Sequence, residues 1–206
     1  MMVRETGYDE VRDAQRHFRS ILDSLARPGV ISILDPVTLA PPPRLNAATV
    51  LVAFSLLDAD VAFHLVDMTA SEDAYLRANT RAASTAIEDA QFVFADGSSP
   101  AQMLEGVHCG SLTYPDTAAT LILQVVTLSS VPVPAGLKLT LTGPGVETQA
   151  FVYVRQLNPD LLLALQARNT EFPLGIDTIV TCDDGPQGIP RVLGIPRTTT
   201  VRWEHC

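Results

Sequence analysis

Two arginines stand next to prolines in segments typical of turns, and both could hold an anion. Arg27 precedes Pro28, while Arg197 follows Pro196 and precedes Thr198, whose hydroxyl is a further candidate. A guanidinium on a fixed backbone can bind a phosphate or carboxylate through two parallel hydrogen bonds. The alternative role is internal: each arginine could bind carbonyl groups at the end of an element or pair with one of the 23 acidic residues. The sequence leaves both roles open.

The segment Gly143-Pro144-Gly145 could cradle a phosphate, but a turn fits its residues better. A phosphate-binding loop needs consecutive backbone N–H groups and a following helix, whereas Pro144 lacks an N–H and the next predicted element is a strand. Proline at the second position and glycine at the third favour a type II turn. Asp177 also has two open roles, because it could cap a turn or act as an acid or base.

Covalent and metal chemistry find little support in the sequence. Lys138 is the one lysine, and hence the one candidate for a Schiff base with pyridoxal phosphate, but an alternating strand places it on the polar side and predicts a solvated amine. There is no G-x-S-x-G motif. The four histidines lack the spacing of paired ligands on a helix, and the three cysteines lack a C-x-x-C pair. We expect no cofactor and no metal, and we identify no catalytic residue.

Composition limits the class of protein. The 206 residues are 47% hydrophobic and 18% charged, so we expect one ordered domain over residues 1–206. A net charge of −9 with a single lysine disfavours a nucleic-acid partner. The cysteines are too few and too widely spaced for a disulfide framework, and no apolar run reaches about 18 residues. The expected location is the reducing cytoplasm, without a membrane partner.

Helices and strands alternate along the whole chain. Apolar periodicity and capping residues predict helices over residues 11–25, 46–57 and 158–168, and a further helix that begins at residue 71. Runs rich in β-formers predict strands over residues 30–34, 61–66, 91–95, 118–128, 137–142, 149–154, 176–182 and 198–203. This interleaving predicts an α/β fold class: a three-layer α/β/α domain around a central mixed sheet.

Three of these segments carry more detailed expectations. The continuous apolar run 118–128 predicts a central strand that is covered on both faces. Strict alternation over 137–142 places three leucines inward and Lys138, Thr140 and Thr142 outward. The stretch 183–195 is interpreted as a long loop, because Gly-Ile-Pro-Arg occurs at 188–191 and again at 194–197.

Several motifs together resemble the PhnH family of the bacterial carbon-phosphorus lyase system. They occur in the family's order and spacing over nearly the whole chain. They are FR at 18–19, ARPG at 26–29, LLD at 56–58, YPDTAATL at 114–121, LTGPGV at 141–146, FPLGID at 172–177 and PRTT at 196–199. Asp116 and Ala118 depart from the commoner Glu and Gly, and the stretch 183–195 is longer than usual. Arg197 rather than Arg191 matches the family arginine, because two threonines follow it.

The resemblance implies a subunit of an enzyme complex. The family's fold is similar to the large domain of pyridoxal-phosphate-dependent transferases but lacks the residues that bind the cofactor. Its members form homodimers and join PhnG, PhnI and PhnJ. In that system a phosphonate and a nucleoside triphosphate give ribose 1-phosphonate 5-triphosphate, and PhnJ later breaks the C–P bond.

Three interpretations follow for the role of this chain. The first is a non-catalytic or substrate-organising subunit, with Arg27 and Arg197 buried in internal hydrogen bonds. The second is a subunit that contributes anion-binding residues to a shared active site, with at least one of these arginines open to a cleft. The third, less favoured, is a stand-alone transferase that uses pyridoxal phosphate.

Overall fold

The computed structural model describes residues 4–184 and 188–206, and these contain four α-helices and eleven strands. The helices are α1 (Arg12–Ala26), α2 (Ala47–Leu56), α3 (Ala70–Thr80) and α4 (Pro159–Arg168). The strands are β1 (Ser32–Ile33), β2 (Ala62–Leu65), β3 (Ala83–Ser84), β4 (Phe92–Asp96), β5 (Thr120–Gln124), β6 (Thr127–Ser129), β7 (Leu137–Thr142), β8 (Ala150–Arg155), β9 (Asp177–Asp184), β10 (Ile189–Ile195) and β11 (Thr200–His205). Short 3-10 turns join some of them.

Side-chain caps explain where three of the helices begin. The Asn46 side chain accepts a hydrogen bond from the backbone of Thr49 at the start of α2, and Asn158 does the same for Asp160 at the start of α4. Thr69 and Glu72 form a capping box at the start of α3. Each cap satisfies N–H groups that the first helical turn leaves without partners.

A seven-stranded mixed sheet forms the centre of the fold, in the order β1-β10-β9-β5-β4-β2-β3. Strands β9, β5, β4, β2 and β3 run parallel to one another, whereas β10 is antiparallel to both β9 and β1. The α/β fold class with a mixed sheet is therefore confirmed.

A second sheet was not expected from the sequence. It has four antiparallel strands in the order β11-β7-β8-β6. The prediction of a single central strand over 118–128 was wrong, because the run divides into β5 in the large sheet and β6 in the small one. The amide of Val125 donates to Thr181 of the large sheet, and that of Val126 donates to Arg155 of the small sheet. Strand β7 has the predicted alternation, with its three leucines buried.

The interpretation of 183–195 as a long loop was also wrong. Residues 189–195 form β10, which pairs antiparallel with β9, while residues 185–187 lie outside the described part of the chain. Both copies of Gly-Ile-Pro-Arg, at 188–191 and 194–197, overlap this strand. Gly194 allows α1 to pack directly on the sheet, since a Cβ at this position would lie 2.5 Å from the backbone nitrogen of Leu25.

Two apolar cores lie on opposite faces of the seven-stranded sheet. One core joins the sheet to α1, α2 and α3, and the other joins it to the four-stranded sheet and α4. The third layer thus combines a sheet with a helix. No helix among residues 4–184 and 188–206 combines the length and apolar character that crossing a bilayer requires.

The face of α1 that is buried in the structure is not the face on which its apolar residues cluster. His17, Ile21 and Ser24 are buried, whereas Phe18 and Leu22 are 42% and 49% exposed. At 100° per residue the buried direction is rotated by roughly 80° from the centre of the apolar sector. An apolar strip of α1 therefore faces outward from this chain.

Candidate functional site

Arg197 is held by acceptors from within the chain. Its Nη2 and Nε donate to one oxygen of Asp177 at 2.7 Å and 3.1 Å, and its Nη1 donates to the carbonyls of Pro115 and Pro173 at 3.1 Å and 3.2 Å. The side chain is 16% exposed. Four donations to fixed acceptors hold the guanidinium in one orientation and balance its charge with that of Asp177.

Asp177 connects the first residue of β9 to the turn that carries Arg197. Its second oxygen accepts the backbone N–H of Arg197 at 2.8 Å. That turn runs from Pro196 to Thr199, with a hydrogen bond of 2.8 Å from the Thr199 amide to the Pro196 carbonyl. Thr198 lies at its exposed corner. Arg197, Asp177 and Thr198 are therefore neighbours in one cluster.

The Gly143-Pro144-Gly145 segment forms a tight turn between β7 and β8. Gly145 has a φ of +82°, and the Val146 amide donates to the Gly143 carbonyl at 3.1 Å, as in a type II turn. A Cβ on Gly145 would lie 2.3 Å from the carbonyl oxygen of Ala26, and one on Gly143 would lie 2.9 Å from that of Thr198. The turn thus packs between the end of α1 and the Arg197 turn.

Arg27 does not join this cluster through its side chain. Its guanidinium pairs with Asp23 one turn earlier on α1, and both side chains are about half exposed. The Arg27 carbonyl accepts from Val30, which closes a second Pro-Gly turn against the first. The two arginines therefore have different surroundings despite their similar sequence settings.

Lys138 is bound by a carboxylate and an aromatic ring. Its amine lies 2.7 Å from Glu204 on the paired strand β11 and 4.8 Å from the centre of the Phe151 ring. The hydrogen bond that Lys138 donates to Glu204 raises the pKa of Lys138 above its ordinary value. A more strongly protonated amine is a poorer nucleophile for Schiff-base formation.

Asp183, which sequence reasoning missed, caps α2. Its two oxygens accept the amides of Ala47 and Ala48 at 2.7 Å and 2.9 Å, while Gln124 accepts the amide of Asn46 at 2.7 Å. These acceptors lie at the ends of β9 and β5, more than 70 residues from α2 in sequence. Such a long-range cap has no signal in the local sequence. Within residues 4–184 and 188–206, no three His, Cys, Asp or Glu side chains are grouped so that they could hold a metal ion.

A cleft of about 560 Å³ opens beside Arg197, between α4 and the start of β11. Leu123, Leu162 and Leu165 form part of its apolar lining. Thr199 and Phe172 also line it, and sequence analysis selected neither. Both residues stand inside motifs already quoted, FPLGID and PRTT, so their positions next to Pro173 and Arg197 were the available signal.

A family model for the bacterial phosphonate metabolism protein PhnH matches residues 6–202. The chain belongs to the PhnH family. It is 32% identical, over 95% of its length and 94% of the relative's, to the alpha-D-ribose 1-methylphosphonate 5-triphosphate synthase subunit PhnH of Rhizobium meliloti (strain 1021). It is 30% identical, over 91% of its length and 85% of the relative's, to HtxG of Stutzerimonas stutzeri, which is described provisionally as a C-P lyase subunit protein.

Four of the seven segments that resemble PhnH in sequence meet at one place in the structure. Arg197 of the PRTT motif binds Pro115 of the YPDTAATL motif and both Pro173 and Asp177 of the FPLGID motif. Gly143 of the LTGPGV motif contacts the same turn. In this PhnH chain these four motifs therefore hold one another's loops in place.

Proposed function

We propose that this chain is the PhnH subunit of a carbon-phosphorus lyase complex in phosphonate catabolism. In this role it supports the formation of ribose 1-phosphonate 5-triphosphate from a phosphonate and a nucleoside triphosphate. The observation that carries the proposal is the match to a relative named as a subunit of alpha-D-ribose 1-methylphosphonate 5-triphosphate synthase, which covers 95% of this chain and 94% of the relative. PhnG, PhnI and PhnJ are the proposed partners, and the cytoplasm is the proposed location.

Within the complex we assign the chain a structural role rather than a catalytic one. Supporting this, Arg197 uses four donations on internal acceptors and Asp177 neutralises its charge. These donations use four of the five guanidinium N–H groups, so holding a phosphonate through two parallel hydrogen bonds would require breaking at least one of those contacts. The fold is proposed to be a distant relative of the large domain of pyridoxal-phosphate-dependent transferases that works without the cofactor, in keeping with a charge-paired Lys138.

The alternative, a subunit that lends anion-binding residues to a shared site, is favoured by one feature. Besides its contacts with Asp177, Pro115 and Pro173, Arg197 lines the cleft, so part of its surface faces open space. The two roles differ in how Arg197→Ala would act: loss of stability and assembly supports the structural role, whereas loss of turnover in a correctly assembled complex supports the shared site.

We also propose a homodimer, in which the outward strip of α1 is buried. Phe18 and Leu22 lie one helical turn apart on that strip and expose large apolar side chains. Light scattering at micromolar concentration should give twice the chain mass of 22.2 kDa. Phe18→Asp should reduce it to one chain mass, while Leu163→Asp, on the exposed side of α4, should not. A wild-type mass of one chain would refute the dimer.

Reconstitution tests the assignment of the whole protein. The tagged chain should capture PhnG, PhnI and PhnJ of the same organism from a co-expression lysate. The complex should consume a phosphonate and nucleoside triphosphate when this chain is included, and the rate should fall at least tenfold when it is omitted. Failure to capture the partners, or full activity without the chain, would overturn the proposal.

A further inference from the structure

Two loops that lie side by side carry three strongly exposed apolar side chains. Leu112 and Tyr114 lie in the loop before β5 and are 67% and 62% exposed. Phe172 lies in the loop before β9 and is 70% exposed. Single exposed apolar residues are common on protein surfaces, whereas several grouped together indicate a contact site.

Arg197 fixes the two loops to each other. Its Nη1 donates to the carbonyls of Pro115 and Pro173 at 3.1 Å and 3.2 Å. Tyr114 directly precedes Pro115, and Phe172 directly precedes Pro173. Because one nitrogen binds both prolines, the backbone segments that carry the two aromatic side chains are close neighbours.

Further backbone hydrogen bonds hold these loops in shape. The Gly175 amide donates to the Cys109 carbonyl at 3.0 Å, which is a second link between the loops. Ser111 and Tyr114 exchange two backbone hydrogen bonds of 3.1 Å, so the chain reverses tightly with Leu112 at the tip. A surface that is ordered before binding loses less conformational entropy when a partner covers it. Below, the three exposed side chains at 112, 114 and 172 are called the loop patch.

The surroundings of the loop patch are acidic. Asp116 and Glu171 are exposed, and their carboxylates have no hydrogen-bond or ion-pair partner among the described residues. Arg197 is neutralised by Asp177, and the partly buried Arg168 donates to a backbone carbonyl. The free carboxylates therefore favour positively charged side chains on the surface that covers the loop patch.

Charge disfavours a second copy of this chain as the occupant. A two-fold interface brings a surface against itself, so the same free carboxylates would come close together. The chain has 23 acidic residues against 14 basic ones, so the other faces of a second copy are also a poor match. A different protein with lysine or arginine side chains fits better.

We propose that the loop patch is the docking surface for another subunit of the complex. That subunit covers the three apolar side chains with apolar side chains of its own and places lysine or arginine side chains against Asp116 and Glu171. This inference rests on the proposed function, since it needs the partner subunits named there. It adds the place of contact and the chemistry of the partner surface, and in it Arg197 holds the loops that bind the partner.

Truncation of the two aromatic side chains tests the apolar contact. With PhnG, PhnI and PhnJ co-expressed, Tyr114→Ala/Phe172→Ala should reduce the partner subunits retained by the tagged chain roughly tenfold or more, because buried aromatic side chains carry much of the energy of an interface. The melting temperature should not change, since both side chains are exposed. Val131→Ala is the matched control: this side chain is 63% exposed, in the loop between β6 and β7, and its loss should not reduce retention.

Removal of the two carboxylates tests the charge complementarity. Asp116→Asn/Glu171→Gln should weaken retention and reduce its dependence on salt between about 0.1 M and about 0.5 M, because fewer charges remain to be screened. Asp67→Asn/Asp160→Asn removes the same charge and should keep the wild-type dependence. Asp67 follows β2, and Asp160 begins α4 beside the end of β4, so both lie at the opposite ends of the parallel strands from the loop patch.

Retention and mass together separate this docking surface from the proposed function. Full retention by the aromatic variant, when the wild-type chain retains its partners, would overturn the docking surface and leave the proposed function intact. Unchanged salt dependence in Asp116→Asn/Glu171→Gln would overturn the basic partner surface. A mass that falls from two chains to one in the aromatic variant, with partners still retained, would show that a second copy binds there instead. Retention of no partner by the wild-type chain would overturn both proposals.

Discussion

Arg197 and Arg27 each stand beside a proline, and the fold gives them different partners. Arg197 joins three loops from a nearly buried position, whereas Arg27 pairs with Asp23 on the surface of α1. Removing the Arg197 side chain leaves two carbonyls and the Asp177 carboxylate without their hydrogen-bond donor, which lowers stability. The exposed ion pair between Arg27 and Asp23 contributes little to stability. The two residues therefore form a matched pair for mutation.

Arg197→Ala should lower the free energy of unfolding by about 1–3 kcal/mol, because Asp177 and two carbonyls lose their donors. Arg27→Ala should lower it by less than about 1 kcal/mol, since its ion pair is exposed to solvent. Urea denaturation of both variants measures the difference. A variant at position 197 with normal stability and normal assembly, in a complex that no longer converts phosphonate, would contradict the structural role.

At the scale of residues, the sequence indicated the cluster but could not choose between its roles. Arg197, Asp177 and Thr198 were all selected from their turn-like settings, and the fold places them together. Whether Arg197 faces inward depends on Pro115 and Pro173, which are 82 and 24 residues away in the chain. Asp183 was missed because its partners, the amides of Ala47 and Ala48, are 136 and 135 residues away in the chain.

The contact between α1 and β10 depends on the absence of a side chain at Gly194. A methyl group there would lie 2.5 Å and 2.6 Å from backbone atoms of Leu25 and Ser24, which cannot move without moving the helix. Gly194→Ala should therefore lower stability by about 1–3 kcal/mol and shift the amide resonances of α1. Gly188→Ala, where no described atom lies within 4 Å of the added methyl, should leave those resonances in place. Unchanged α1 resonances in both variants would argue against this tight packing.

The capping box of α3 makes stability dependent on pH. Burial alone would raise the pKa of Glu72, but hydrogen bonds from the hydroxyl and amide of Thr69 hold that pKa below its ordinary value. A lowered pKa adds stability that is present above the pKa of the unfolded chain, about 4.3, and is lost as pH falls through the folded-state pKa.

Glu72→Gln should therefore cost about 1 kcal/mol at pH 7, because the hydrogen bonds to a carboxylate are replaced by weaker ones to an amide. The difference from wild type should shrink as pH falls below about 4. Thermal unfolding between pH 3 and 7 measures it. Glu105→Gln, at an exposed carboxylate, controls for the removal of one charge. A difference that grows toward low pH would have the wrong sign for this cap.

At the scale of elements, the helices were predicted better than the sheets. Asn46 and Asn158 are local signals, and the helices that they cap begin within one residue of the predicted positions. Strand pairing is not local. Nothing within the run 118–128 indicates that the chain passes from one sheet to the other at Val125 and Val126. Strand β10 was not predicted either, because the glycine that its packing against α1 requires, Gly194, is not typical of a strand.

The chain crosses directly from the seven-stranded sheet to the four-stranded sheet at Val125 and Val126. Val125 and Val126 are adjacent in the chain, yet their amides donate to different sheets, and the second core fills the space between those sheets. Separating the sheets would break this connection and expose that core. Calorimetry should therefore show a single unfolding transition for residues 1–206, with equal calorimetric and van't Hoff enthalpies. Two resolved transitions would indicate two independent domains.

The carboxylate of Asp183 has a consequence for ligands that approach α2. Asp183 is 136 residues from Ala47 in the chain, and the fold holds it against the amides at the start of this helix. A phosphate group in solution would have to displace this tethered competitor, whose effective concentration is roughly millimolar or higher. Free phosphate esters at lower concentrations would then leave the end of α2 unoccupied by ligand, because the protein supplies its own anion there.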